Sequence, residues 1–145
     1  MRRVVQVAVL MCLMLALGAG VAYAAVIQCD GGLCIGTPED DIITGTNQAD
    51  QIFGKGGDDT IYGLGQTDTL VGGGGNDTLY GGPGHDVLRG SNGDDDLYGG
   101  PDETQGPRLT DEYFCGTGTD TVHVEKSESA PHNFAPSCEI IVRNE

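Results

Sequence analysis

Positive charge is what this chain has least of: seven Lys and Arg stand against 22 Asp and Glu, a formal net charge of −15 at pH 7. Such an excess of acid repels phosphate backbones and excludes a nucleic-acid partner on electrostatic grounds. It suits a chain whose charge is balanced by bound cations. Catalytic signatures are missing as well, because no H-E-x-x-H, G-x-S-x-G or P-loop pattern occurs. His85, His123 and His132 share no common spacing and have no nucleophile arranged around them. The chain is therefore expected not to be an enzyme.

Long apolar runs are confined to the start. Arg2 and Arg3 precede an apolar stretch from Val4 to about Leu17, and Ala22-Tyr23-Ala24 forms an A-x-A cleavage site. Residues 1–24 thus read as a signal peptide, too short a run for a membrane anchor, and the mature chain is expected to be secreted with no membrane span. Removing those arginines makes the remainder still more acidic, and its length suits one domain. Cysteine is sparse. Beyond the signal segment Cys29, Cys34, Cys115 and Cys138 remain, and an even count behind a secretion signal reads as two disulfides.

What is present is a period of nine. Glycine recurs at Gly36, Gly45, Gly54, Gly63, Gly72, Gly81 and Gly90. Five residues after each comes an aspartate: Asp41, Asp50, Asp59, Asp68, Asp77, Asp86 and Asp95. Two further on comes Ile or Leu: Ile43, Ile52, Ile61, Leu70, Leu79, Leu88 and Leu97. At the ordinary glycine frequency the first column alone would arise by chance about once in 10⁸. A strict period of this kind marks a repeat architecture.

Each unit reads as a glycine-rich turn followed by a three-residue strand, with Gly72 to Tyr80 the cleanest copy. Alternation sends the aliphatic residue inward and its neighbours outward. One aliphatic side chain per nine residues cannot bury a core alone, so the repeats must stack. Two repeats make one coil, and the next coil lies ~4.8 Å along the axis. The expected fold is all-β, a right-handed parallel β-roll, or β-solenoid, with its ends capped by short disulfide-closed segments. Ile43, Ile61, Leu79 and Leu97 are to line one wall, and Ile52, Leu70 and Leu88 the other.

This stacking puts like charges one above another. Asp41, Asp59, Asp77 and Asp95 share one edge and Asp50, Asp68 and Asp86 the other, and unit charges ~4.8 Å apart repel by ~0.9 kcal/mol even at the dielectric of water. A dication between successive turns reverses that sign. Carboxylate and carbonyl oxygens suit a hard ion taking six to eight oxygens, whereas magnesium demands strict octahedral geometry. No thiolate or imidazole falls in the turns at a regular spacing, which argues against zinc or copper. Ca2+ is the expected cofactor.

The pattern resembles the RTX, or haemolysin-type, calcium-binding nonapeptide GGxGxDxUx, from Gly36 to about His123. The resemblance implies that position-six aspartates and turn carbonyls of two stacked repeats hold each ion. Carried over by position, the side-chain ligands are Asp41, Asp50, Asp59, Asp68, Asp77, Asp86 and Asp95. Glu39, Gln48 and Gln66 replace the position-four glycine, so their turns are expected to bind more weakly. After Gly99-Gly100-Pro101 an insertion, 102–108, breaks the register; Leu109 to Phe114 then restores it, and Cys115 to His123 forms a ninth repeat that adds Asp120 as a ligand. Asp111, beside the insertion, is not assigned. The expected organisation is a signal peptide at 1–24, an N-terminal cap at 25–35, the roll at 36–123 and a C-terminal cap at 124–145.

With several coils between Cys34 and Cys115, an end-to-end bridge is out of reach of disulfide geometry. Pairing is therefore expected to be local, Cys29–Cys34 and Cys115–Cys138. Tyr62, Tyr80 and Tyr98 stack on one outer face, beside Thr60 and Thr78; Ile42 and Asp96 interrupt that threonine column. Adjacent acids such as Asp40-Asp41, Asp58-Asp59 and Asp94-Asp95 pair one ligand with one turn residue facing water. The function expected is a secreted calcium-binding repeat protein with a structural, adhesive or interaction role, meeting a cell-surface or extracellular protein or glycan. The alternatives are a polysaccharide- or ice-binding solenoid using the Tyr/Thr face, and an accessory module of a secreted enzyme or toxin.

Overall fold

A computed structural model describes residues 24–101, 111–125, 133–135 and 137–144. The expected signal peptide up to Tyr23, the insertion at 102–108 and His132 lie outside them.

The alternation of one inward aliphatic residue between two outward ones produces short strands throughout. In chain order these are β1 (Val26–Gln28), β2 (Gly32–Ile35), β3 (Ile42–Thr46), β4 (Asp50–Gly56), β5 (Thr60–Leu64), β6 (Thr69–Gly74) and β7 (Thr78–Tyr80). There follow β8 (Val87–Asn92), β9 (Asp96–Tyr98), β10 (Glu112–Thr117), β11 (Thr121–Glu125), β12 (Asn133–Phe134) and β13 (Ile140–Asn144). The odd-numbered strands form one sheet in the order β1-β3-β5-β7-β9-β11-β13, and the even-numbered ones the other, β12-β10-β8-β6-β4-β2. Every pairing is parallel, so the chain alternates between sheets and advances one strand position per coil: a parallel β-roll.

Register follows the sequence period. Ile43 pairs with Ile61, Ile61 with Leu79 and Leu79 with Leu97 in one sheet; Ile52 pairs with Leu70 and Leu70 with Leu88 in the other. All seven side chains are fully buried, forming the two expected walls of one thin core. Beyond β8 the offset between stacked residues rises from 18 to 25. Tyr113 nevertheless sits beside Leu88 and Val122 beside Leu97, so the additional residues between Pro101 and Asp111 displace neither wall.

The ladders continue past the glycine-marked repeats. β1 pairs with β3 (Ile27 beside Ile43) and β2 with β4 (Cys34 beside Ile52). At the far end β13 extends β11, with Ile141 beside Val122. Cys29 is bonded to Cys34 and Cys115 to Cys138, with Cα separations of 5.8 and 5.1 Å. Both bridges are local, one at each end of the stack.

Candidate metal centre

The turns run along two edges of the roll, and the position-six aspartate is where turn becomes strand. Strand alternation makes its side chain point inward, like the aliphatic residue two positions later. Asp41, Asp50, Asp59, Asp68, Asp77, Asp86, Asp95 and Asp120 are accordingly all buried, at most 2% exposed. The structure brings them into two columns. On one edge the Asp41 amide donates to Asp59 Oδ1 at 2.8 Å, Asp59 to Asp77 at 2.9 Å, Asp77 to Asp95 at 2.8 Å and Asp95 to Asp120 at 3.0 Å. On the other edge Asp50 donates to Asp68 and Asp68 to Asp86, each at 2.8 Å. Asp86 then donates to Asp111 at 2.8 Å. Asp111, unassigned on sequence, is fully buried in this same column. Its position six across the insertion was the available signal.

One carboxylate oxygen per aspartate is thus used by the neighbouring coil. The other lies inside its own turn. Oδ2 of Asp59, Asp68, Asp77, Asp95 and Asp120 is buried and accepts no hydrogen bond. Burying an ionised carboxylate oxygen without a partner is strongly unfavourable, so such groups are protonated or meet a cation. Burial accordingly pushes the Asp59, Asp68 and Asp95 carboxyls up to about 6 and Asp77 to about 7, from an ordinary 3.8. The amide donated from the preceding coil opposes that rise, and the carboxylates stacked nearby add to it.

The glycine columns now acquire distinct reasons. The position-one glycines have no left-handed backbone; they are glycine for want of room. A methyl on Gly63 would lie 2.5 Å from Asp68 Oδ2 and 2.7 Å from the Gly81 carbonyl. At position four the reason is conformational: Gly75 has φ +117°, and its Cα faces the carbonyl of Gly57 in the preceding coil. The turns of Asp59, Asp68, Asp77, Asp95 and Asp120 therefore present a bare carboxylate oxygen amid stacked main-chain carbonyls. Among the described residues no three carboxylate, imidazole or thiolate side chains converge, so an ion here needs backbone oxygens too. That all-oxygen donor set fits calcium.

Two turns differ. In the first turn of one edge the Thr37 amide donates to Asp41 Oδ2 at 2.6 Å, and its hydroxyl to Oδ1 at 3.0 Å. In the first turn of the other, the Thr46 amide and hydroxyl both donate to Asp50 Oδ2, at 2.7 and 2.9 Å. At the far end the Tyr113 hydroxyl reaches Asp111 Oδ2 at 3.5 Å.

Position five also carries more than the sequence disclosed. On the edge of Asp59 and Asp77 its side chains are exposed, yet they form a second ladder. Asp40 Oδ1 accepts from the Asp58 amide, Asp58 from Asn76, Asn76 from Asp94 and Asp94 from Thr119, at 2.7–2.9 Å. The other edge has Ala49, Thr67 and His85 in those places. His123 continues the outer aromatic column. Tyr62, Tyr80, Tyr98 and His123 stack face to face with centroids 4.9, 4.7 and 4.0 Å apart, and Asp96 lies 3.5 Å from His123 Nε2.

A family model described as the RTX calcium-binding nonapeptide repeat matches residues 35–70 and 71–103. Residues 35–103 thus carry RTX calcium-binding nonapeptide repeats, and the family of these repeats binds Ca2+. No curated protein and no solved structure matches the chain.

Proposed function

We propose that this is a secreted calcium-binding module whose ions are integral to the roll, with a structural, adhesive or interaction role and no catalysis. The observation that carries this reading is the set of buried, donorless Oδ2 atoms of Asp59, Asp68, Asp77, Asp95 and Asp120. These residues, with Asp86 in the column of Asp68, are the side chains that would hold calcium, and stacked turn carbonyls would complete the shell. Bound calcium supplies positive charge that turns repulsive carboxylate columns into cohesive ones. The two disulfides fit an oxidising compartment, and no helix among the described residues is long and apolar enough to cross a membrane.

The outer tyrosine face does not favour a sugar-binding reading. Its rings stack on one another, so their faces are covered and mainly edges are left for a ligand. Ile42 and Asp96 break the regularity of the threonine column that ice binding would need. Isothermal titration and native mass spectrometry test the proposal directly. Several calcium ions per chain, displaced by chelator and bound more tightly than zinc, are expected; a single ion, or preference for zinc, would refute it.

A further inference from the structure

The two turns closed by threonine separate cleanly from the rest, and backbone conformation explains why. Position two has positive φ in Lys55 (93°), Leu64 (87°), Gly73 (125°), Gly82 (105°), Ser91 (91°), Gly100 (107°) and Gly116 (111°). Thr37 and Thr46 do not take it, as expected for β-branched residues, to which that region is nearly closed. The N–Cα rotation decides where the position-two amide points. With positive φ, Leu64 and Gly82 donate to the position-one carbonyls of the next coil, Gly81 and Gly99, at 3.0 and 2.7 Å. Without it, Thr37 and Thr46 donate into their own turns, onto Asp41 and Asp50.

We infer that Thr37 and Thr46 stand in for the cation, so that Asp41 and Asp50 are not calcium ligands and the ion-binding part of the roll begins at Asp59 and Asp68. The inference rests on the calcium reading above and narrows it. A carboxylate that already accepts an amide and a hydroxyl inside its turn is satisfied by charge-assisted hydrogen bonds. An ion would have to displace an N–H that cannot become an acceptor. The threonine hydroxyls also accept from the Glu39 and Gln48 amides, at 3.3 and 3.1 Å, pinning the position-four residues that replace glycine. Cys29–Cys34 closes the coil that stacks on these same turns. The first turn on each edge is thus built wholly from protein donors.

The test keeps the intact protein folded at neutral pH in saturating calcium and then exchanges calcium for strontium, following the side-chain carboxyl carbon of each aspartate by NMR. Asp59, Asp68, Asp77, Asp95 and Asp120 are expected to shift as strontium replaces calcium, while Asp41 and Asp50 stay in place. In Thr37→Gly/Thr46→Gly, which frees position two for positive φ and removes the hydroxyls, Asp41 and Asp50 should join the responding set. Shifts at Asp41 and Asp50 in the unaltered protein, matching those of Asp68, would overturn the inference while leaving the calcium reading intact, as would their silence in the double variant. Amide exchange guards against misfolding of that variant: in the unaltered protein the Thr37 and Thr46 amides should be protected at saturating calcium, and rapid exchange there would equally overturn it. Silence of all the aspartates would refute the calcium reading itself.

Discussion

A methyl group is enough to test the turn interior. Gly63→Ala would press its Cβ against Asp68 Oδ2 and the Gly81 carbonyl, and overpacking of this kind costs about 1–3 kcal/mol. A lowered melting temperature in saturating calcium is expected; an unchanged one would mean that the turn yields easily. The buried carboxyls give a pH dependence whose sign is opposite to that of a salt-bridged acid. Their folded pKa values, about 6 for Asp59, Asp68 and Asp95 and about 7 for Asp77, lie above the ordinary 3.8. Between those limits the folded state holds more protons than the unfolded one, so without calcium stability falls as pH rises from about 4 to 7. With calcium the ions compete with those protons, and stability should instead rise with pH across that range. Melting curves at pH 5 and 8, in calcium-free and calcium-containing buffer, should show this reversal, and parallel trends in the two buffers would contradict it. At this scale the sequence disclosed the aspartate column but not its hydrogen bonds. The closure of Asp41 by Thr37 depends on an amide direction, which residue type only constrains.

Turns and strands differ in how openly the sequence declares them. The walls were legible because glycine, aspartate and aliphatic residue recur together, and the register follows from that spacing. β1, β2, β12 and β13 carry no such signature, and it is pairing with their neighbours that brings them into the sheets. The position-five ladder was hidden for another reason: exposed Asp and Asn are ordinary turn residues, and only stacking aligns Asp40, Asp58, Asn76 and Asp94. Position two carries a testable strain. Lys55 and Ser91 hold φ near +90°, a conformation costing about 1–3 kcal/mol in a non-glycine residue. Glycine removes that strain and loses about 0.5–1 kcal/mol in backbone entropy. Lys55→Gly and Ser91→Gly should therefore each stabilise by about 1 kcal/mol in chemical denaturation, whereas a loss of stability would show that the strain lies elsewhere. Asp77→Ala removes a carboxylate shared by two stacked turns, so it should cost calcium affinity more than Asp41→Ala, as titration calorimetry of the two variants would show.

Over the described residues the molecule is a narrow column with one aliphatic side chain per coil in each wall, bounded by a disulfide at either end. Fixing each residue costs about 1–2 kcal/mol of backbone entropy, and so thin a core offsets little of it. With dissociation constants of about 10⁻⁴ to 10⁻³ M, millimolar calcium contributes ~0.4–1.4 kcal/mol per site. Several such sites together approach the whole stability of a small domain. Because each interior turn is stacked between two others, filling one site orders the next, so binding and folding should be cooperative. The measurement that reaches this claim most directly is far-ultraviolet circular dichroism at neutral pH during a calcium titration from chelated protein. A largely disordered spectrum in chelator, converting to a β-rich one in a single sigmoidal transition, is the predicted result. A chelated protein that keeps its β-rich spectrum and its melting temperature would contradict it.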